Sequence, residues 1–299
     1  MGILKAAKGS VGGVLADSWK EIFVCEGMPQ DVLAIRGEKK TGEHSSNTKG
    51  DEYVITDGST IIVHPGQCAI AIDKGQIIGC YDTPGENTYH SKRTSRGLKS
   101  ALKQSFDRFG YGGVAAEYQV IMYLDLKEHF GNEFRVSRAI RFKDSRTGAD
   151  IDLKVILSGV FSFSITDPVV FYQNVCANAT GTVYTKKVLP QITAELNMVL
   201  MGALAKLCEK GITAYELSMI GSRLVDDATQ AINAEWSALR GFSLTSIGIE
   251  EIALTQGDKN LLQELQIAKA LTDPRLAAAT LAQAKAQAMK DAARNTNHG

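Results

Sequence analysis

Residues Asp57–Tyr89 read DGSTIIVHPGQCAIAIDKGQIIGCYDTPGENTY, and the fold class turns on them. Ile61, Ile62 and Val63 are closed by Pro65-Gly66. Cys68 to Ile72 alternates apolar and small residues up to Lys74-Gly75, and Gln76 to Tyr81 runs on to Pro84-Gly85. Apolar and β-branched runs punctuated by turn residues at this spacing predict a meander of short antiparallel strands. The stretch holds no nucleophile paired with a base and no metal set.

The same period continues outward. Glu117–Leu126 and Phe134–Phe142 read as strands, and Ile151–Ile165 alternates through Leu153, Val155, Leu157, Phe161, Phe163 and Ile165. Asp167-Pro168 then predicts a helix start, with Asp as cap and Pro at the first position. Thr182–Lys210 carries Val188, Ile192, Leu196, Leu200, Leu204 and Leu207 at helical spacing and is closed by Gly211. A second helix from about Ile220 to Leu239 ends at Gly241, and Phe242–Leu254 returns to strand alternation. The expected fold class is α+β: a β-rich subdomain over 24–166, followed by a smaller α/β subdomain over 167–256.

The tail, 257–299, predicts helices. Asp258–Leu271 places Leu261, Leu262, Leu265 and Ala268 on one side, and Asp273-Pro274 caps a fresh helix. Pro274–Arg294 contains nine alanines. A helix so short of large apolar side chains buries little surface alone and needs close neighbours. Leu261, Leu265, Leu276, Ala277, Leu281, Ala284 and Ala288 are therefore the expected oligomerisation residues.

At 299 residues, 44% apolar and 22% charged, the chain can bury a sizeable core in about two domains. Lys plus Arg and Asp plus Glu are both 33, so no basic field points to nucleic acid. Five cysteines, an odd number with no C-x-x-C pair, argue against a disulfide framework and a zinc ribbon. Apolar runs fall short of the ~20 residues of a spanning helix. Residues 1–23 lack the compact apolar core of a signal peptide, and the expected location is the cytoplasm.

Residues 1–23 nonetheless predict an amphipathic helix. At about 100° per residue, Ile3, Leu4, Val11, Val14, Leu15, Trp19, Ile22 and Phe23 share one arc, with Lys5 and Lys8 at its edge. Such a helix suits a membrane interface; the other reading packs it on the protein or on a neighbouring copy. A polar tract over 36–52 reads as a long loop. A basic helix over 97–109 sets Leu98, Leu102, Phe106 and Phe109 along an apolar stripe beside Lys99 and Lys103. It is either a second membrane or partner contact, or a cover for the sheet.

No catalytic set emerges. The five histidines are scattered without H-E-x-x-H spacing, and there is no G-x-S-x-G elbow or Walker loop. Gly110-Tyr111-Gly112-Gly113 follows a helix rather than a strand, and Cys68 and Cys80 suit small core positions. Neither a metal nor a cofactor is expected.

The meander, the segment DPVVFYQNV at Asp167–Val175 and the strand GFSLTSIGI at Gly241–Ile249 resemble the SPFH (band 7) superfamily of stomatin, prohibitin and flotillin. EGMPQDVLAIRG, SSNTKG at Ser45–Gly50 and DPRLAAATLAQAKAQAMKDAA at Asp273–Ala293 look more closely like its bacterial YdjI-like, virion core protein-like branch. The resemblance covers essentially the whole chain. It implies a two-part SPFH domain, self-association into rings or cages, and a peripheral place on an anionic membrane surface at the inner face of the cell membrane. It also implies a partner among phage-shock-type membrane-stress proteins, and no enzymatic activity. A soluble shell or adaptor protein is the alternative.

Overall fold

The computed structural model describes residues 21–40, 54–91, 119–144, 149–176, 179, 181–272 and 274–295. The fold is α+β, as the sequence predicts, with helix and strand in nearly equal shares. The chain forms two compact units. One is Met1–Glu133 with Val160–Leu196 and Ala228–Gly248; the other is Phe134–Gly159 with Asn197–Asp227 and Ile249–Gly299.

The first unit holds the residues of the opening quotation, but they do not form one meander. β1 (Ile22–Val24), β3 (Glu38–Lys40), β4 (Thr60–Val63) and β7 (Gly85–Thr88) make a four-stranded sheet ordered β3-β1-β4-β7. β2 (Val32–Arg36), β5 (Gln67–Asp73), β6 (Gln76–Tyr81), β8 (Gln119–Asp125) and β11 (Val183–Tyr184) make a second, ordered β11-β2-β8-β5-β6. Only β5 and β6 form a hairpin of the expected kind. Asp73 faces Gln76 across two residues of positive φ, Lys74 at 51° and Gly75 at 76°, the geometry of a type I′ turn. β4 leaves that hairpin to pair with β7, and runs parallel to β1. Strand spacing alone could not separate two sheets, because both present the same period.

Packing explains why the two sheets belong together. Phe23, Val32, Ile61, Val63, Ala69, Ala71, Ile78, Tyr89, Ile121 and Tyr123 close one core cluster. The Tyr123 hydroxyl reaches the carbonyls of Phe23 and Ile62, both at 2.9 Å, so the phenol of one sheet ties two strands of the other. Burial holds this phenol well above its ordinary pKa.

Two expectations need correction. Ile22 and Phe23 belong to β1, not to a helix, and Phe23 is buried. The cause is Glu21, whose buried carboxylate accepts from Ser59 Oγ at 2.7 Å and Thr56 N at 3.0 Å and pairs with Lys39 at 3.1 Å. Burial alone would raise this carboxyl, but those partners outweigh it and hold it below the usual range. An interfacial helix could not continue through a residue anchored this way. The tract 36–52, read as loop, begins with the end of β2 and contains β3, where Lys39 faces Phe23. Ile3, Leu4, Lys5, Lys8, Val11, Val14, Leu15 and Trp19 lie outside the described residues, as do Leu98, Lys99, Leu102, Lys103, Phe106 and Phe109.

The three longest strands, β9 (His129–Asp144), β10 (Ala149–Ile165) and β12 (Phe242–Leu254), form a third sheet ordered β12-β10-β9. Asp167 ends β10 as predicted: its Oδ1 accepts from Val169 N and Val170 N, capping the short helix α1 (Pro168–Phe171). Helix α2 (Thr185–Glu209) and helix α3 (Gly221–Arg240) follow. α3 buries Leu224, Ala228, Ile232 and Trp236, one residue every four. Full burial of a side chain such as Leu224 or Ile232 contributes roughly 1.5–3 kcal/mol. Asn233 of α3 gives and receives a bond with the backbone of Leu244 at 3.1 and 2.7 Å, which supplies polar partners to edge strand β12.

In the second unit, helix α4 (Gln256–Thr272) starts on a reciprocal cap: Asp258 N donates to Thr255 Oγ1 at 3.3 Å, and the Thr255 hydroxyl donates back to the carboxylate. Asp258 also accepts from Lys154 N at 3.1 Å, which fixes the root of α4 to β10. Helix α5 (Pro274–Asn295) completes the described chain.

Candidate interaction surfaces

Among the described residues, no three His, Cys, Asp or Glu side chains come together in a way that could hold a metal ion. All five cysteines are buried, and burial pushes Cys176 up to about 12 and Cys208 to about 11, the opposite of an activated thiol. His129 is buried with Nδ1 3.0 Å from the carbonyl of Gln30; since a carbonyl only accepts, Nδ1 carries the proton. Its ring stacks on Phe163 at 5.3 Å, which makes it part of the core.

Sequence reading missed the strongest polar cluster. Glu195 on α2 takes Arg240 from the end of α3 in a two-pronged grip, both bonds 2.7 Å, and accepts from Trp236 Nε1 at 2.8 Å and Gln191 Nε2 at 2.6 Å. Every lone pair that counts is used, and the fork geometry is the strong form of an ion pair. Burial works against the Glu195 charge, yet the bonds from Arg240, Gln191 and Trp236 win and hold its carboxyl below the usual carboxylate range. A depressed carboxylate contributes stability above its unfolded value and loses it as pH falls through the folded one. Glu195→Gln is therefore expected to cost about 1.5–3 kcal/mol at neutral pH, the range for bonds to charged groups. Stabilities of variant and parent should converge as the pH falls through the lowered Glu195 range, and a constant gap would show that shape, not charge, matters there.

Beside this clasp lies a cleft of about 200 Å³. Val175, Val188, Ile192 and Phe242 line it with apolar surface, while Asn174, Lys187, Gln191 and Arg240 supply polar groups. No carboxylate is among the lining residues. Asn174 is held in place by a 2.7 Å bond to the carbonyl of Leu239.

The helical tail presents the clearest apolar surface. Leu261 is 40% exposed and Leu281 66%, with Ile267 and Met289 also open to solvent. Ala284 and Ala288 are exposed, Leu265 is half-buried, and Leu276 and Ala277 lie in α5. Leu262, by contrast, turns inward and is buried.

One finding differs from the reading of apolar runs. By length and composition, α2 is the one described helix that could cross a membrane. Its pattern argues for protein packing on one side: Ile192, Leu196, Leu200, Leu204 and Leu207 are buried, while Met198 is exposed. Core helices of soluble proteins meet the same length and composition criterion.

The family model for the SPFH domain, Band 7 family, matches residues 49–270, and the chain belongs to that family. No curated protein matches the chain. The family is in general one of membrane-associated scaffolds without enzymatic activity.

Proposed function

We propose that the protein is a non-enzymatic scaffold that assembles from many copies of itself into rings or cages at the cytoplasmic face of a bacterial membrane, in the service of an envelope-stress response. The observation that supports self-assembly is the open apolar surface of α4 and α5. Large apolar side chains and alanines stand in solvent there on helices too polar to form a core of their own.

The proposed membrane contact is the segment up to Trp19, with Ile3, Leu4, Val11, Val14 and Leu15 as its apolar side and Lys5 and Lys8 beside the headgroups. Each large side chain fully removed from water contributes roughly 1.5–3 kcal/mol before ordering costs. A single copy therefore holds weakly, and many copies in one assembly hold together by avidity. Glu21 and β1 form a fixed root for this contact within the first unit.

Flotation with anionic liposomes tests the proposal. The parent protein is expected to rise with the lipid, and Leu15→Glu with Trp19→Glu to leave intact assemblies in the soluble fraction. A double variant that still floats removes the N-terminal segment as anchor. A parent that assembles but never floats is a soluble shell or adaptor.

A further inference from the structure

The third sheet ends on two unlike edges. Its order, β12-β10-β9, makes β9 and β12 the edge strands, and among the described residues no backbone bond joins either of them to a further strand. Within the second unit these edges are residues 135–143 of β9 and 249–254 of β12. The β9 stretch carries Arg135, Arg138, Arg141 and Lys143 and no acid, whereas β12 carries Glu250 and Glu251 and no base along its whole length. The β9 cations and Glu250 are all exposed. Part of this charge is used inside the chain, since Arg141 pairs with Asp152 of β10 at 3.1 Å and Arg135 with Glu251 at 3.6 Å. Arg138, Lys143 and Glu250 make no ion pair among the described residues.

An open strand edge is a template for another strand. Charge decides which strand. Two β9 edges brought together would set cations across from cations, and two β12 edges would set acids across from acids, both destabilising. β9 against β12 sets unlike charges together. We infer that β9 of one copy docks along β12 of a second copy, so that the third sheet continues from copy to copy. The occupant is the chain itself because one chain carries both complementary edges. Such a contact is heterologous: each added copy leaves an edge open, and addition continues until a ring closes. This inference rests on the self-assembly reading above and adds a second contact to the one proposed for α4 and α5, with both needed for full mass. Cations on an edge strand can also serve to keep other strands away, and the two roles predict opposite results.

Light scattering on the full chain separates them. Arg138→Glu with Lys143→Glu should lose mass relative to the parent, and so should Glu250→Lys with Glu251→Lys. All four substitutions together exchange the charges of the two edges and should restore the parent mass. The control joins the β9 pair to Asp226→Lys and Glu235→Lys, which cancel the same charge at exposed positions of α3 and should restore nothing. Full mass in both pair variants, or restoration by the α3 control, overturns the strand contact and leaves self-assembly standing. Mass gained by Arg138→Ala with Lys143→Ala would make these cations guards of the edge and overturns it too. A parent that scatters as a single subunit overturns this inference and the self-assembly reading together.

Discussion

Gly241→Ala is expected to destabilise the first unit more than an alanine at any other of its described glycines. Gly241 ends α3 at a φ of 69°, in the left-handed region where a side chain costs about 1–2 kcal/mol. Space is the greater difficulty. A Cβ there would lie 2.3 Å from the carbonyl oxygen of Asp167 and 2.6 Å from Phe171 N. Those two atoms are the partners of the bond that closes α1, at 2.9 Å, and backbone cannot step aside as a flexible side chain can. The Gly241 carbonyl also accepts from Thr166 N at 2.9 Å and Asp167 N at 2.8 Å, so moving it frees two donors. Strain, a lost capping turn and unpaired donors together amount to roughly 4 kcal/mol. At about 2–4 °C per kcal/mol for a unit of this size, the thermal midpoint should fall by around 10 °C. Gly202→Ala is the matched control. It sits inside α2 at ordinary φ with nothing within 4 Å of a new Cβ, and should stabilise by about 0.4–1 kcal/mol. Equal shifts for the two variants would show that Gly241 is replaceable and that the helix end can relax.

Gly241 also marks how far sequence alone could go. A glycine after a long amphipathic run signals a helix end, and the end falls where expected. Asp167-Pro168 likewise predicts its cap atom for atom, because capping is a local bond between neighbours. The clasp was illegible for the opposite reason. Glu195 and Arg240 lie 45 residues apart, and each looks like an ordinary solvated charge on its own helix. The pairing of β4 with β7 around the β5–β6 hairpin fails for the same cause, since a period of two reports a face but not a partner. The first 23 residues show the converse error. A helical arc counted on spacing ran two residues into a strand, because nothing local announces that Glu21 will be buried against Ser59 and Lys39.

Leu281→Glu together with Ala288→Glu is expected to break the proposed self-assembly while leaving the subunit folded. Both side chains are exposed within a copy, so neither supports that copy's own core, and glutamate keeps α5 helical. At about 100° per residue, positions 281, 284 and 288 fall within one narrow stripe. If that stripe is a contact between copies, each new carboxylate must be desolvated against an apolar neighbour, which costs several kcal/mol per contact. If copies join through this stripe as proposed, the cost recurs at every contact, and the mass measured by light scattering should fall toward that of a single subunit. Gln283→Glu with Lys290→Glu is the control. Those positions lie about opposite the stripe, and the pair changes net charge more, by three units against two, so a loss of mass there would indicate general repulsion. Unfolding of the stripe variant should stay within about 0.5 kcal/mol per site of the parent, the usual range for surface changes. An assembly of full mass carrying both glutamates would mean that this face of α5 meets solvent and that the copies join elsewhere.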